Sequence, residues 1–223
     1  ILWPTLAWRN KLSLWAGLHW SRFVLWLCGI KLELSGEENL VHPAILTFNH
    51  TNILDFFLNA FYAGDRCLVF GKRSLSRIPF VGWGWMLGGH PMVERTRPEQ
   101  WHLQLARVES LMRESNYSTC IAPEGKRSYD GQLLPFKKGA FHLAINTKRP
   151  IVPVVIHGAA PRLKRRSLPS AGTIRVEILP ALSTEGWALE TIEQHSDELR
   201  AIYLEALGQA PTAAETPHST TPA

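Results

Sequence analysis

The sequence predicts an α/β fold in which a mixed, partly parallel central sheet is flanked by helices. Residues 44–48 and 67–70 have the apolar composition of buried strands, and residues 53–63 between them are typical of a helix. This β-α-β order favours parallel pairing of the two strands. A further hydrophobic strand is predicted at residues 151–156, where Pro153 favours a sheet edge or a bulge. With 223 residues, 45% of them hydrophobic, the chain can bury one sizeable core.

The remaining elements are predicted from periodicity and capping signals. Strands are predicted at residues 31–40 with a turn at Gly36, at 91–94, at 173–179 and just before Pro123. Helices are predicted at residues 136–146, at 189–207, and after the capping sequence Thr96-Arg97-Pro98-Glu99, with a core stripe of Trp101, Leu105, Val108 and Met112. We therefore expect a membrane-interfacial helical segment at residues 1–31, one globular domain at 32–208, and a disordered tail at 209–223.

The N-terminal segment has the composition of a membrane interface. It holds five of the nine tryptophans, and residues 1–31 contain four basic side chains and no acidic one. Tryptophan rings lie at headgroup level, and cations attract anionic lipids. Residues 12–30 form an apolar stretch close to spanning length, but Arg22 near its middle favours one or two helices that lie on the bilayer. The alternative is a tryptophan-rich helix packed on the protein's own core.

The first chemical signal is the stretch Asn49-His50-Thr51-Asn52-Ile53-Leu54-Asp55. It places His50 and Asp55 five residues apart at a strand-to-helix junction, where side chains face a cleft. An imidazole can accept a proton near neutral pH, and a neighbouring carboxylate can fix its tautomer and stabilise the imidazolium. The alternative is structural: Asn52 caps the helix and Asp55 completes a variant capping box, which leaves His50 an ordinary loop residue.

The second chemical signal is Pro123-Glu124-Gly125-Lys126-Arg127-Ser128, which also follows an apolar strand. Two cations, a carboxylate and a glycine at a strand end can receive a phosphate and neighbouring hydroxyls. A surface turn with solvated charges is the alternative. Cys120 and Ser128 have no local signature of an activated nucleophile. Residues 81–89, rich in glycine and tryptophan, predict an apolar wall beside a polar site.

Charge and cysteine usage narrow the class of protein. The net charge of +5 includes a second basic cluster at Arg162, Lys164, Arg165 and Arg166, which predicts phospholipid headgroups or phosphate-bearing ligands as partners. Nucleic acid is not expected, because the chain has neither a zinc-finger spacing nor an aromatic RNA-binding strand. Three cysteines without a CxxC pair predict reduced thiols and a cytoplasmic setting.

Four stretches, in this order and at this spacing, resemble the glycerolipid acyltransferase family, which includes the 1-acylglycerol-3-phosphate (lysophosphatidate) acyltransferases. The stretch from His50 to Asp55 looks like the family's H-x4-D block, and the stretch from Lys72 to Arg95 looks like its second block. Residues 123–128 are similar to the third block, F-P-E-G-T-R-S, and residues 151–156 resemble the fourth. Two residues depart from the third block: Ala122 stands for Phe, and Lys126 stands for Thr.

The resemblance implies that residues 32–208 are an acyltransferase domain behind a two-helix amphipathic N-terminus. The implied reaction moves a fatty acyl group from acyl-CoA or acyl carrier protein to the free hydroxyl of 1-acylglycerol-3-phosphate. The product would be phosphatidate, made for phospholipid biosynthesis at the cytoplasmic face of a membrane, with no cofactor and no metal. His50 would be the general base and Asp55 would orient it. The acceptor's phosphate and glycerol would be held by Arg95, Glu124, Gly125 and Arg127, with Lys72 as a helper.

Two departures and three rival functions accompany the resemblance. Because Glu124, Gly125 and Arg127 are in place, the departures bear on substrate preference, and the extra Lys126 cation favours a more anionic acceptor or donor. Another lysolipid, either a lysophospholipid or a lyso-aminolipid, is an alternative acceptor, and a thioesterase would use water instead of a hydroxyl. A non-catalytic membrane lipid-binding protein is the rival outside the enzymes.

Overall fold

The computed structural model describes residues 5–78, 81–94, 98–163 and 168–210. In these ranges the chain forms six α-helices, which are Leu6–Leu27 (α1), Leu54–Leu58 (α2), Val81–Leu87 (α3), Pro98–Ser115 (α4), Gly139–Thr147 (α5) and Ile192–Leu207 (α6). It forms eight strands, which are Ile30–Ser35 (β1), Ile45–Phe48 (β2), Cys67–Val69 (β3), Gly71–Lys72 (β4), Met92–Val93 (β5), Ser118–Ile121 (β6), Ile151–His157 (β7) and Gly172–Ile178 (β8).

Six strands form one mixed sheet in the order β1-β8-β7-β2-β6-β3. β2 pairs in parallel with both β6 and β7, and β3 pairs in parallel with β6. β8 is parallel to β1 and antiparallel to β7. β4 and β5 form a separate parallel pair. The predicted α/β class with a partly parallel sheet is therefore confirmed.

Helices cover both faces of this sheet, and the alternation of side chains along each strand explains why. Leu46 of β2 faces a core that includes residues of α1, α2 and α3. Its neighbour Ile45 faces a second core, built with α4, α5 and α6. Val108 and Met112, from the stripe predicted on α4, are fully buried in that second core. Both faces of β2 are thus buried, as its continuous apolar sequence predicts.

The prediction that Pro153 marks a sheet edge is wrong, because β7 lies between β8 and β2. The alternative, a bulge, agrees with the pairing. Between the pairs Val154↔Ile178 and Ile151↔Leu182 lie two residues of β7 but three residues, 179–181, of the segment that it pairs with. Pro153 lies within this interruption, so its missing N–H costs no regular ladder hydrogen bond.

The N-terminal segment is one continuous helix, α1, and not the two helices that the resemblance implied. Its inward face combines apolar Leu25 with polar side chains: Asn10 is fully buried and donates through Nδ2 to the carbonyls of Cys67 at 3.0 Å and Gly88 at 2.8 Å. Its outward face is aromatic, with Trp15 58% and Trp26 73% exposed. The alternative of a helix packed on the protein's own core is realised in part, because Leu25 of α1 is buried in that core while these two tryptophan side chains face outward. No described helix has both the length and the hydropathy of a membrane span.

Some predictions fall outside the described residues. They concern Arg95, the capping residues Thr96 and Arg97, the basic residues Lys164, Arg165 and Arg166, and residues 211–223 of the predicted tail. Gln209, the first residue of that tail, hydrogen-bonds through its side chain to the backbone of Leu133 at 2.9 Å and Gly131 at 2.8 Å. The ordered chain thus continues past the predicted boundary at residue 208.

Candidate active site

The candidate site lies where two neighbouring parallel strands end. β2 and β6 pair side by side, so the loops that follow them meet at the same edge of the sheet. The backbone amide of Ser128 donates to the carbonyl of His50 at 2.8 Å, which joins the two loops directly. Asn49 ties the first loop to β7, because its side chain exchanges hydrogen bonds of 3.0 and 2.7 Å with the backbone of Ile156.

His50 and Asp55 form a hydrogen-bonded pair. His50 Nδ1 lies 2.8 Å from Asp55 Oδ2, and the Asp55 side chain is completely buried. The same carboxylate oxygen accepts the backbone amides of Thr51 at 2.6 Å and Asn52 at 3.0 Å. With two backbone amides already donating to it, this oxygen serves as an acceptor, and it accepts Nδ1–H of the imidazole as well. Nε2 is then the proton-accepting nitrogen of His50, and the ring borders the large cavity described below.

The structural interpretation of this stretch is realised in part. Asn52 Oδ1 accepts the amide of Leu54 at 2.8 Å, and Asp55 Oδ2 accepts the amide of Asn52, but the N-cap of the helix is Ile53, which makes no side-chain capping bond. These backbone contacts hold the Asp55 carboxylate in place beside the His50 imidazole.

Glu124 occupies a different place from the one expected. It is 1% exposed and does not line the cavity. Its Oε1 accepts the backbone amide of His50 at 2.6 Å, and its Oε2 accepts that of Leu134 at 3.0 Å. Burial raises the pKa of this carboxyl to about 7, against the opposing effect of the two amides. In this arrangement Glu124 supports the backbone of His50 and does not face a ligand.

Three of the other predicted binding residues border a cavity of about 1120 Å³ that His50 also lines. Lys72, Gly125 and Arg127 all line it, together with Lys126. Gly125 has φ +66°, a conformation that favours glycine, and the Cγ atom of Lys137 would lie 3.3 Å from any Cβ placed there. The loop therefore lets the stem of Lys137 lie over Gly125, which adds a further cation to the wall.

The remaining wall of this cavity is largely apolar and aromatic. Its apolar side chains include Phe48, Phe56, Val69, Phe70, Trp85, Trp101, Leu105 and Ile121. Trp85 is the residue of the predicted 81–89 wall that contributes, and it packs on Phe56 at 5.1 Å between ring centroids. Trp83 and Met86, from the same stretch, are instead half exposed at the surface. The cavity is thus lined by both cationic and apolar side chains, with His50 among the lining residues.

The sequence also offered two nucleophiles, and their surroundings agree with the prediction that neither is activated. Cys120 is fully buried in β6 with its Sγ 3.4 Å from Cys67 Sγ, and burial raises its pKa well above the usual range. The Ser128 hydroxyl lies 2.7 Å from Asp130 Oδ1 within its own loop. In the described part of the chain, no group of three or more His, Cys, Asp or Glu side chains could hold a metal ion.

Sequence reasoning missed the residues that support the pair. Asn49, Glu124 and Ser128 together hold the backbone on both sides of His50. Asn49 gave a usable signal, because a polar residue directly after a buried strand must find hydrogen-bond partners. The support from Glu124 had no local signal, since it depends on two loops 74 residues apart meeting at one sheet edge.

The comparisons with known proteins agree with this geometry. A family model described as acyltransferase matches residues 31–157. The chain is 30% identical to a 1-acyl-sn-glycerol-3-phosphate acyltransferase of Limnanthes alba over 92% of its own length and 73% of the relative's. It is 32% identical to the enzyme of that name from Saccharomyces cerevisiae, over 91% of its own length and 69% of the relative's. It is 34% identical to the beta form of Homo sapiens, over 71% of its own length and 58% of the relative's.

The fold also occurs among solved structures. The crystal structure of the 1-acyl-sn-glycerophosphate (LPA) acyltransferase from Thermotoga maritima matches with a TM-score of 0.72 at 19% identity. The match covers 89% of this chain and 80% of that one.

Proposed function

The chain belongs to the acyltransferase family, and from this premise we propose that it acylates 1-acylglycerol-3-phosphate to give phosphatidate. It is an acyltransferase enzyme, and its named relatives act in the synthesis of phospholipid precursors. The observation that carries the proposal is the hydrogen-bonded His50–Asp55 pair, whose imidazole borders a cavity that has both cationic and apolar lining. Lysophosphatidate and an acyl donor have the same two characters, a phosphate and long apolar chains.

His50 acts as the general base in this proposal. Its Nε2 takes the proton of the acceptor hydroxyl as the oxygen attacks the thioester carbonyl carbon. Asp55 keeps Nδ1–H in place and stabilises the imidazolium that forms. The carbon–sulfur bond then breaks, and the leaving sulfur recovers the proton from His50 as a thiol. A positioned base of this kind contributes about 10²–10⁴-fold to the rate.

The cationic lining receives the acceptor's phosphate. Arg127 and Lys72 border the cavity beside Gly125, and the planar guanidinium of Arg127 can bind two phosphate oxygens at once. Glu124 acts from behind, by holding the backbone amide of His50. Arg95 keeps the role that the resemblance implied, as a proposal that rests on sequence alone.

The apolar lining receives an acyl chain, and the outward face of α1 meets the membrane. Phe56 and Trp85 form part of a wall long enough for hydrocarbon to replace water. Trp15 and Trp26 present their rings to solvent, a placement that lipid headgroups accommodate better than water does. This contact, at the cytoplasmic face, would bring the cavity to a lipid acceptor. The donor is acyl-CoA or acyl carrier protein, with no cofactor.

The test is product formation in neutral detergent micelles with each acyl donor and a panel of acceptors. Lysophosphatidate should be acylated to phosphatidate, and faster than lysophosphatidylcholine or lysophosphatidylethanolamine. Faster acylation of another lysolipid would overturn the choice of acceptor. Free fatty acid released at the same rate without acceptor would identify a thioesterase. Vesicle binding without any turnover would favour the non-catalytic lipid-binding protein.

A further inference from the structure

A second cavity, of about 460 Å³, lies between the start of α1, the end of α3 and the middle of α4. Its polar lining includes Arg9, Gln104 and Arg107, and its apolar lining includes Leu6, Met86 and Met92. None of these residues lines the catalytic cavity. We call the three polar side chains Arg9, Gln104 and Arg107 the interfacial site.

The interfacial site is positively charged, and no carboxylate lines it. Arg9 is held in place, because its Nε donates to the carbonyl of Leu87 at 3.0 Å. Arg107 makes neither a hydrogen bond nor an ion pair with any described residue. His90 also borders the cavity but adds no charge, since burial and the Arg107 cation lower its pKa to about 4. Two guanidinium groups thus border this cavity, and no described acidic side chain lines it to neutralise their charge.

A glycine lets α1 and Arg107 lie close to the backbone beside this cavity. Gly89 has φ +70°, and a Cβ atom there would lie 2.5 Å from Leu6 Cδ1 and 3.4 Å from Arg107 Nη2. A larger residue would therefore push α1 or Arg107 away. The Gln104 Oε1 atom is buried without a hydrogen-bond partner among the described residues. A buried polar group of this kind is rarely left unsatisfied, and as an acceptor it calls for a hydrogen-bond donor, which a hydroxyl group of a lipid headgroup would supply beside a phosphate held by the arginines.

The rim of this cavity distinguishes a lipid from a soluble anion. Three helices contribute exposed apolar side chains beside it: Trp8 on α1 is 57% exposed, Met86 on α3 50%, and Leu103 on α4 68%. Leu103 lies one helical turn before Arg107, so both project from the same side of α4. Cations surrounded by exposed apolar groups suit the headgroup level of a bilayer, where chains insert and phosphates bind.

We propose that the interfacial site binds the phosphate of an anionic phospholipid headgroup and so anchors the enzyme on negatively charged membrane. The proposal rests on the membrane contact of the proposed function, but not on the identity of the acyl acceptor. Arginine is the appropriate residue because its planar fork binds two phosphate oxygens, which a point charge does not. The site would select membrane rich in phosphate-bearing anionic lipid, apart from the catalytic cavity.

The test is vesicle sedimentation with two kinds of phosphatidylcholine vesicle at equal surface charge. One contains phosphatidylglycerol, and the other contains a fatty acid carboxylate. Arg107→Gln should weaken binding to phosphatidylglycerol vesicles by more than about fivefold, which is what one cation at a membrane surface contributes. Arg107→Lys should weaken it by a smaller factor, because the charge remains and only the fork is lost. Arg22→Gln, at an exposed cation elsewhere on α1, is the control and should affect both vesicles equally.

Four outcomes would overturn the proposal. Arg107→Lys could bind like the wild type, or Arg107→Gln could weaken binding to phosphatidylglycerol vesicles no more than Arg22→Gln does, and either result would indicate unspecific attraction. Inorganic phosphate that displaces the protein from phosphatidylglycerol vesicles at low concentration would identify a site for free phosphate. If the wild type binds neither vesicle yet acylates lysophosphatidate in micelles, the proposed membrane contact is wrong while the proposed reaction stands. Unchanged thermal unfolding and micelle activity of the variants would show that folding and catalysis are intact.

Discussion

Replacement of Asp55 by asparagine separates its two functions, which are to hold the backbone and to carry charge. Thr51 and Asn52 both donate backbone amides to Oδ2, so the asparagine amide oxygen must take that position. The amide nitrogen of the new asparagine then takes the place of Oδ1. Oδ1 lies 3.3 Å from the hydroxyl oxygen of Thr51, and this hydroxyl can accept a hydrogen bond from the amide nitrogen. Nδ1–H of His50 still meets an oxygen. Asp55→Asn thus keeps these backbone hydrogen bonds and the histidine tautomer, and removes the negative charge.

The size of the effect follows from the distance in the pair. With the charges about 4 Å apart and an effective dielectric constant of about 20, the carboxylate stabilises the imidazolium by about 4 kcal/mol. Since each 1.4 kcal/mol is about tenfold in rate, kcat should fall by up to ~10³-fold. The charge acts on a cation that forms only in the transition state, so KM should change little.

The assay is steady-state acylation of lysophosphatidate, with thermal unfolding measured on the same variants. Asp65→Asn is the matched control, because Asp65 is an exposed carboxylate whose partner is Lys11 at the surface. It should retain full activity. An Asp55→Asn rate within tenfold of the wild type would refute the reasoning and leave Asp55 a support for the backbone only. A large loss of thermal stability would contradict the placement of the amide oxygen.

Three further predictions concern pH, chain length and charge. Burial raises the pKa of Glu124 from 4.5 to about 7 and lowers that of His90 from 6.5 to about 4. The stabilising contribution of Glu124 is full below pH 4.5 and is lost as the pH rises to about 7, whereas that of His90 is full above pH 6.5 and is lost as the pH falls to about 4. Each contribution is worth about 3 kcal/mol. In urea titrations of Glu124→Gln, the free energy of unfolding should therefore rise between pH 4.5 and 6.5, because the contribution of His90 remains. In His90→Gln it should fall over the same range, because the contribution of Glu124 remains. Trp85→Ala should shift donor preference toward longer chains by about fourfold per added methylene, measured by competition between donors, with the exposed Trp83→Ala unchanged in micelles. Lys126→Thr should raise the KM for whichever substrate, acceptor or donor, carries more negative charge, severalfold and at constant kcat. Lys31→Thr, far along the sheet at β1, should leave this KM unchanged.

The sequence predicts most of the fold because its signals are local. Buried strands such as residues 151–156 are continuous apolar runs, and the helix stripe of Val108 and Met112 has clear periodicity. The edge position of Pro153 was wrong because proline excludes a ladder hydrogen bond, and two arrangements satisfy that condition. The sequence does not say which strand lies beside β7, so it could not choose between an edge and a bulge.

The candidate site was predictable in composition and less so in arrangement. His50 and Asp55 are close in sequence, so their contact follows from one loop. Glu124 was expected to face the acceptor, because charged residues at strand ends commonly face solvent or ligand. It points inward because the backbone amides of His50 and Leu134 need an acceptor there, and that need arises only when distant loops meet. The polar contact on the inner face of α1, where Asn10 is bonded to the sheet, was hidden for the same reason.

The most direct test of the account compares His50→Ala with His142→Ala in acyl transfer to lysophosphatidate. Both histidines border the same cavity, but His50 is the one hydrogen-bonded to a buried carboxylate. With acyl-CoA and with acyl carrier protein as donors, His50→Ala should lose at least ~10²-fold in kcat while His142→Ala keeps most of its activity. An undiminished rate in His50→Ala, with phosphatidate still formed, would contradict the assignment of His50 as the general base.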